Sequence, residues 1–191
     1  MTLKEGLVIA EAARARLAPF CERLSIAGSI RRNREFVGDV DLVVLPRRGR
    51  ERDLYADLDA MGRVAKRGPQ YAVINLPCGE QLDVWFARGR EQGLFASVPG
   101  NWGALLLTRT GSTEHNIELV RRAKELGLRY HPHAGVVDAS GAVVASESEE
   151  EIFEALGMDF VPPEERERAW GAGVLRDTRD TRDARDEGGA K

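Results

Sequence analysis

Three aspartates in this chain have the type and spacing to hold a cation. Asp39 and Asp41 stand two residues apart at the mouth of the apolar run Val40-Leu42-Val43-Val44-Leu45. On a strand, residues two apart share a face, so these carboxylates would lie close together and repel. A third, Asp83, interrupts Gln81-Leu82-Asp83-Val84-Trp85-Phe86, a second alternating segment with apolar neighbours. Taken alone, Gly38-Asp39-Val40-Asp41 also fits a plain turn in which Asp41 bonds a neighbouring loop. A buried carboxylate, however, needs a cation or a dense set of donors. Three converging acids without an adjacent lysine point to divalent metal. An all-oxygen donor set favours Mg²⁺, with Mn²⁺ as a substitute, which keeps waters and takes further oxygens from substrate phosphates. That is the chemistry of phosphoryl or nucleotidyl transfer, with two ions ~3.5–4 Å apart, one activating a hydroxyl and the other holding the leaving pyrophosphate. About ten residues ahead of the acids, Gly28-Ser29 offers backbone N–H groups and a hydroxyl to phosphate, with Arg32 able to add charge-assisted hydrogen bonds.

The elements that must position these groups are set by hydrophobic period and punctuation. Leu7, Val8, Ala12, Leu17 and Phe20 predict a helix over about 4–23, followed by a strand at 24–27 and the Gly28-Ser29 loop. A strand over 39–45 stops at Pro46, and a helix over 52–61 stops at Gly62. Strands follow at 63–66, 71–76 and, after the turn Pro77-Cys78-Gly79, at 81–87, giving a mostly antiparallel-looking sheet. The second half predicts helices over 101–109 and 112–126, then short strands at 128–131, 135–138 and 142–146. Ser148 and Glu151 form a capping-box signature for a last helix, closed by Gly157.

Length and composition bound the rest. The 191 residues, 42% hydrophobic and 31% charged, suffice for one core or two small ones. No apolar run reaches the ~18 residues of a membrane span, and the N-terminus lacks the apolar block of a signal peptide, so an intracellular, cytoplasmic chain with no membrane partner is expected. Cys21 and Cys78 lack metal-site spacing and are expected to be buried thiols. The net charge of −3 conceals basic clusters at Arg31-Arg32, Arg47-Arg48 and Lys66-Arg67, and distribution matters more than the sum for a nucleic-acid partner. His131-Pro132-His133 fits a strand-end surface pair, and Trp85 and Trp102 fit core positions. The Arg-Asp run at the C-terminus is expected to be disordered.

Together Gly28-Ser29-Ile30-Arg31-Arg32, Gly38-Asp39-Val40-Asp41-Leu42 and Leu82-Asp83-Val84 resemble the palm of the nucleotidyltransferase superfamily, specifically the family X DNA polymerases typified by DNA polymerase beta. In the second half, Thr110-Gly111-Ser112-Thr113-Glu114-His115-Asn116 resembles their nucleotide-binding signature, and Ile152 to Gly157 with Val161 to Arg166 resembles the end of their thumb. The resemblance implies an α+β fold: a palm of mixed sheet with helices on one face over 1–90, then a small α/β thumb over 91–168, with 169–191 a tail. It implies a DNA polymerase that adds nucleotides to a primer 3′-hydroxyl and releases pyrophosphate, on primer/template or gapped DNA and with nucleoside triphosphates, as a monomer. Asp39 and Asp41 would bridge both ions, and Asp83 would bind the catalytic one and help deprotonate the primer. Gly28, Ser29, Arg32 and Gly38 would hold phosphates, while Arg109, Thr110, Gly111, Ser112 and Asn116 would meet the nucleotide, with Gly111-Ser112 joined by a cis peptide.

The departures carry expectations of their own. The chain begins just before the palm, so no lyase or fingers domain is expected, and with it a weak, distributive grip suited to short gaps in repair. Thr108 and Arg109 stand where many members carry a Tyr-Phe pair that screens the ribose, which implies weak sugar discrimination. By the same resemblance Val120 falls where the beta enzyme has a template-contacting arginine, with Arg121 and Arg122 close by, which implies reduced template fidelity. The alternatives are a nucleotidyltransferase acting on RNA ends or a small molecule, and an inert module that binds DNA ends.

Overall fold

The computed structural model describes residues 1–92 and 97–167. The expected disordered tail at 169–191 lies outside the described residues. Helix α1, Leu3–Leu17, opens with a capping box in which the Thr2 hydroxyl accepts from Glu5 N–H and the Glu5 carboxylate accepts from Thr2 N–H. It ends several residues before the predicted boundary because Pro19 enters a 3₁₀ turn, Ala18–Phe20, where a continuing α-helix would lose a bond and clash. Strand β1 accordingly starts earlier, at Cys21–Ile26. The expected Gly28-Ser29 loop forms a single helical turn, α2, Gly28–Arg31. There follow β2 Val40–Pro46, α3 Glu51–Met61, β3 Arg63–Arg67, β4 Tyr71–Asn75 and β5 Gln81–Phe86.

These strands form one five-stranded sheet in the order β1-β2-β5-β4-β3. Three of its four pairings are antiparallel, as expected, but β2 and β5 run parallel, joined through α3, β3 and β4. Their register sets Asp41 opposite Asp83. Alternation along β2 then sorts its side chains. Val40, Leu42 and Val44 enter a core with Leu82 and Val84 of β5 and with Ala10, Ala13 and Leu17 of α1 and Leu54 and Leu58 of α3. Val43 and Leu45 point the other way, as Asp41 must by the same period of two.

That opposite face is met by the second half of the chain. A two-residue ladder, β6 Glu91–Gln92 with β7 Ser97–Val98, precedes α4 Trp102–Thr110. After α5 Thr113–Glu125 come β8 Arg129–His131, β9 Gly135–Val137 and β10 Val143–Ala145, an antiparallel sheet in the order β10-β9-β8, and then α6 Glu149–Ala155. Helix α4 is buried on two sides. Trp102, Leu105 and Leu106 pack on Val43 and Leu45 of β2, while Ala104 and Leu107 join Leu119, Val136, Ile152 and Phe153 in a separate core. Ser148 caps α6 by accepting from Glu151 N–H, but the Glu151 carboxylate reaches back to Glu147 N–H instead of closing the box on Ser148.

Of the two cysteines only Cys21 is buried; Cys78 is exposed because it sits at the tip of the β4–β5 turn, where no layer covers it. Among the described residues no helix is long and apolar enough to cross a membrane. Gly103 fixes the closest approach in the second half, since a Cβ there would run into the Ser148 backbone at the α6 cap. Gly103→Ala should therefore cost about 1–3 kcal/mol, the usual range for overpacking. Gly38→Ala, where nothing stands within 4 Å of the added carbon, should leave urea denaturation unchanged by comparison.

Candidate active site

Asp41 is placed by both neighbours of its strand. On one side β1 turns into α2 directly over it: Ala27 N–H donates to the Asp41 carbonyl at 2.9 Å, and Gly28 adopts φ +61° against the Asp41 carboxylate. Glycine is required there twice over, for the left-handed backbone and because any Cβ would overlap Asp41 Oδ2. On the other side lies β5, where Asp83 sits opposite Asp41 and accepts from Gln81 Nε2 at 2.8 Å. Trp85, two residues further along the same face, donates its indole N–H to Asp41 Oδ1 at 3.1 Å. Asp39 precedes β2 by one residue, half-buried.

The electrostatics agree with three crowded acids. Burial first, and then the Asp39 charge, push the Asp41 carboxyl up to about 7, with Asp83 adding to the rise and the Trp85 hydrogen bond opposing it. Burial also raises Asp83, against the bond from Gln81. The sequence suggested no compensating lysine, yet Lys66 of β3 does act on Asp83, and Arg109 at the end of α4 acts on both acids. These cations do not neutralise the cluster, since both carboxyls remain raised. Among the described residues no three His, Cys, Asp or Glu side chains form a ready-made metal cage. The donor set nonetheless fits a hard divalent ion: oxygens only, under-compensated in charge and partly open to water. Asp39, Asp41 and Asp83 are the residues that would hold it.

The remaining predicted residues fall into two groups. Close to the acids, the Ser29 hydroxyl is buried with no hydrogen-bond partner among the described residues, which suits it to a ligand oxygen. Arg109 lies with its guanidinium carbon 3.4 Å from the Trp85 ring centroid, and its Nε has no hydrogen-bond partner among the described residues. Gly38 is exposed. The second group is tied into the link between halves. Arg32 donates to the Thr110 carbonyl and to Glu167, so it is engaged within the protein. Thr110 accepts from Arg31 at 2.7 Å. The Gly111–Ser112 bond is cis, as the resemblance implied, and Ser112 caps α5 while donating to the Arg166 carbonyl at 2.9 Å. Asn116 donates to the Thr108 carbonyl at 2.9 Å, leaving its Oδ1 without a partner among the described residues. Val120 lies on the exposed face of α5, where Thr113, Asn116, Ile117 and Val120 line a surface cavity of about 310 Å³.

Sequence reasoning missed the residues that support these. Arg31 and Arg166 converge on Glu149, which accepts two bonds from Arg31, at 2.8 and 2.6 Å, and one from Arg166 at 2.9 Å. Only the doubled arginine in Gly-Ser-Ile-Arg-Arg hinted that one of the pair had a structural duty. Trp85, expected in the core, is instead only partly buried and bonds a candidate ligand. Its place two residues after Asp83 was the available signal. Trp102 is buried as expected.

Two comparisons with known proteins bear on this geometry. Residues 105–167 match the family model for the DNA polymerase beta thumb. The chain is also 29% identical, over 146 residues and 76% of its length, to DNA polymerase/3′-5′ exonuclease PolX of Bacillus subtilis (strain 168). The match covers 24% of that relative, so this chain spans about a quarter of it.

The raised Asp41 carboxyl fixes a pH dependence. An acid whose folded pKa exceeds its unfolded one, near 3.8, opposes folding wherever it must ionise: not at all below about 4, increasingly up to about 7, and fully above. Asp41→Asn keeps an acceptor for the Trp85 N–H and removes that charge. In chelator, the variant should be more stable than the parent at pH 8, on the order of 2–4 kcal/mol. Urea denaturation curves of the two should converge as the pH falls to about 4.

Proposed function

We propose that this chain, similar over part of its length to the DNA polymerase beta thumb and to a PolX polymerase, is a nucleotidyltransferase of the family X kind that adds nucleotides to a DNA primer 3′-hydroxyl, with residues 1–90 serving as palm and 91–168 as thumb. The observation that carries this reading is the placement of Asp41 and Asp83 at one register of two parallel strands, directly beneath the Gly28 turn. In the reaction the primer 3′-oxygen forms a bond to the α-phosphorus, the bond to pyrophosphate breaks, and the hydroxyl proton leaves. Asp39, Asp41 and Asp83 would hold Mg²⁺ or Mn²⁺. Bound there, the metal supplies positive charge to the triphosphate and acidifies the attacking hydroxyl.

The chain's own groups do the rest. Asp83, with its carboxyl raised by burial, is the basic group placed to take the hydroxyl proton. Gly28 lets the turn lie directly against Asp41 with no side chain between them, and the Ser29 hydroxyl donates to one of the phosphate oxygens. Gly38, exposed and unobstructed, offers its N–H to the same group. Arg32 adds charge when it exchanges the Thr110 carbonyl for phosphate. Thr110, Gly111 and Ser112 shape the nucleotide's seat, and the Asn116 Oδ1 is the acceptor for its base or sugar edge. Ile117 and Val120 form an apolar patch on α5, 62% and 50% exposed, flanked by the exposed charges of Glu114, Arg121 and Lys124. A patch with Val120 in place of a cation supplies no phosphate charge pairing, in keeping with a weak, distributive grip and short-gap repair.

Primer extension on gapped, templated and single-stranded DNA, with deoxyribo- and ribonucleotides, tests the reading. Asp83→Ala should lower extension by about three orders of magnitude, since several kcal/mol of charge stabilisation is lost. Extension that survives the substitution would reject the role of Asp83. Neither Thr108 nor Arg109 presents an aromatic ring to the sugar, so ribonucleotides should be used with moderate loss. An efficiency roughly a thousandfold below that for deoxyribonucleotides would exclude weak sugar discrimination.

A further inference from the structure

We infer that Trp85 is a positioning residue for Asp41, with Arg109 and Tyr71 holding its ring in place; the inference rests on the reading of Asp41 as a metal ligand. The Asp41 carboxylate, on an interior strand of the sheet, can turn about its Cβ–Cγ bond unless contacts at its oxygens hold it. Here they are constrained separately. Oδ1 accepts the Trp85 indole N–H at 3.1 Å, and Oδ2 lies against the bare Gly28 backbone, where a side chain would overlap it. Of the two oxygens, Oδ2 is the one left without a donor by these contacts, and it is on the side of the Ser29 turn.

The ring that supplies the N–H is itself held. Arg109 lies over it, with the guanidinium carbon 3.4 Å from the centroid, and Tyr71 of β4 packs against it with centroids 5.3 Å apart and planes inclined by 30°. The Arg109 arrangement is costly on its own terms. Its Nε is buried without a partner among the described residues, and burial disfavours its charge. A guanidinium in that position is retained by the face of the ring and by the field of Asp41 and Asp83. Any buried indole N–H needs an acceptor; what sets Trp85 apart is that its acceptor is the crowded Asp41 carboxylate and that a guanidinium lies over its face. Outer partners of this kind usually change metal affinity 10–100-fold when removed.

The test is Mn²⁺ binding to the full chain, followed by the paramagnetic resonance signal of the free ion, for the parent, Trp85→Phe and Asp41→Asn. Phenylalanine keeps an aromatic plate for Arg109 and Tyr71 but has no N–H. The expected result is a Mn²⁺ Kd about tenfold weaker in Trp85→Phe, with circular dichroism unchanged, and binding abolished in Asp41→Asn. If Asp41→Asn abolishes binding while Trp85→Phe stays within about twofold of the parent, the inference fails and the metal reading stands. If Asp41→Asn binds as the parent does, the metal reading fails and the inference falls with it. Should Trp85→Phe not fold, benzothienylalanine at position 85, a tryptophan isostere with sulfur in place of N–H, separates the same outcomes: a Kd about tenfold weaker supports the inference, and one within about twofold of the parent overturns it.

Discussion

A buried carboxylate fastens the turn after β1 to the second half of the molecule. Glu149, the first residue of α6 and 5% exposed, takes a bidentate fork from Arg31 of α2 and a further bond from Arg166, which is fully buried. Burial alone would raise its pKa, but the Arg31 bonds and the Arg166 charge outweigh that and hold the carboxyl below its ordinary value. Such a group is charged because its partners are there, and removing one partner of a buried pair generally costs about 3–5 kcal/mol. Arg31 also donates to Thr110, and Arg32 to the Thr110 carbonyl, so the turn after β1 and the end of α4 are fastened to each other and to α6. The Ser29 and Gly111 turns are thereby held as one unit.

The site is then divided electrically. On one side of the Gly28 turn stand three carboxylates with too little positive charge; on the other stand Arg31, Arg32 and Arg166 with Glu149 and Glu167 between them. His115 lies on the second side. Burial and the Arg166 charge push its pKa down to about 3, which favours the neutral ring at ordinary pH. The first side opposes folding wherever Asp41 ionises, and the second favours it. A cluster that is costly in one place and over-determined beside it departs from the local consistency of the rest of the fold.

How far this was legible in the sequence depended on the range of each interaction. The three acids could be picked out because charge in an apolar alternating segment is anomalous wherever it is read, and the cap at Ser148 is local by nature. The orientation of β2 against β5 was not legible. Alternation fixes which face a residue takes but not which strand lies beside it or in what direction, and the parallel register of Asp41 with Asp83 depends on the α3-β3-β4 crossover. Glu149 was hidden in the run Glu149-Glu150-Glu151, where only burial separates it from its exposed neighbours. Its partners lie 17 and 118 residues away. Trp85 was hidden by the opposite confusion, since one residue of an alternating apolar strand looks like any other until its N–H has an acceptor. The end of α1 was misplaced because the hydrophobic period runs on through Phe20, whereas Pro19 stops the backbone.

Helix α4 is where these pieces meet, and its double burial explains how a small molecule can place them. With Leu105 and Leu106 against β2 and Ala104 and Leu107 in the other core, the helix can neither roll nor slide without opening one core to water. Its last turn is therefore delivered to a fixed place beside the sheet. Thr108 there shares a hydrogen bond with the Tyr130 hydroxyl at 2.8 Å and gives its carbonyl to Asn116, Arg109 lies on Trp85, and Thr110 receives Arg31. Three consecutive residues thus point to the second core, the carboxylates and the arginine link in turn. The 100° step of an α-helix makes that possible, and it is why the polar end of a mostly apolar helix, and not a long loop, connects the acids to the rest of the fold.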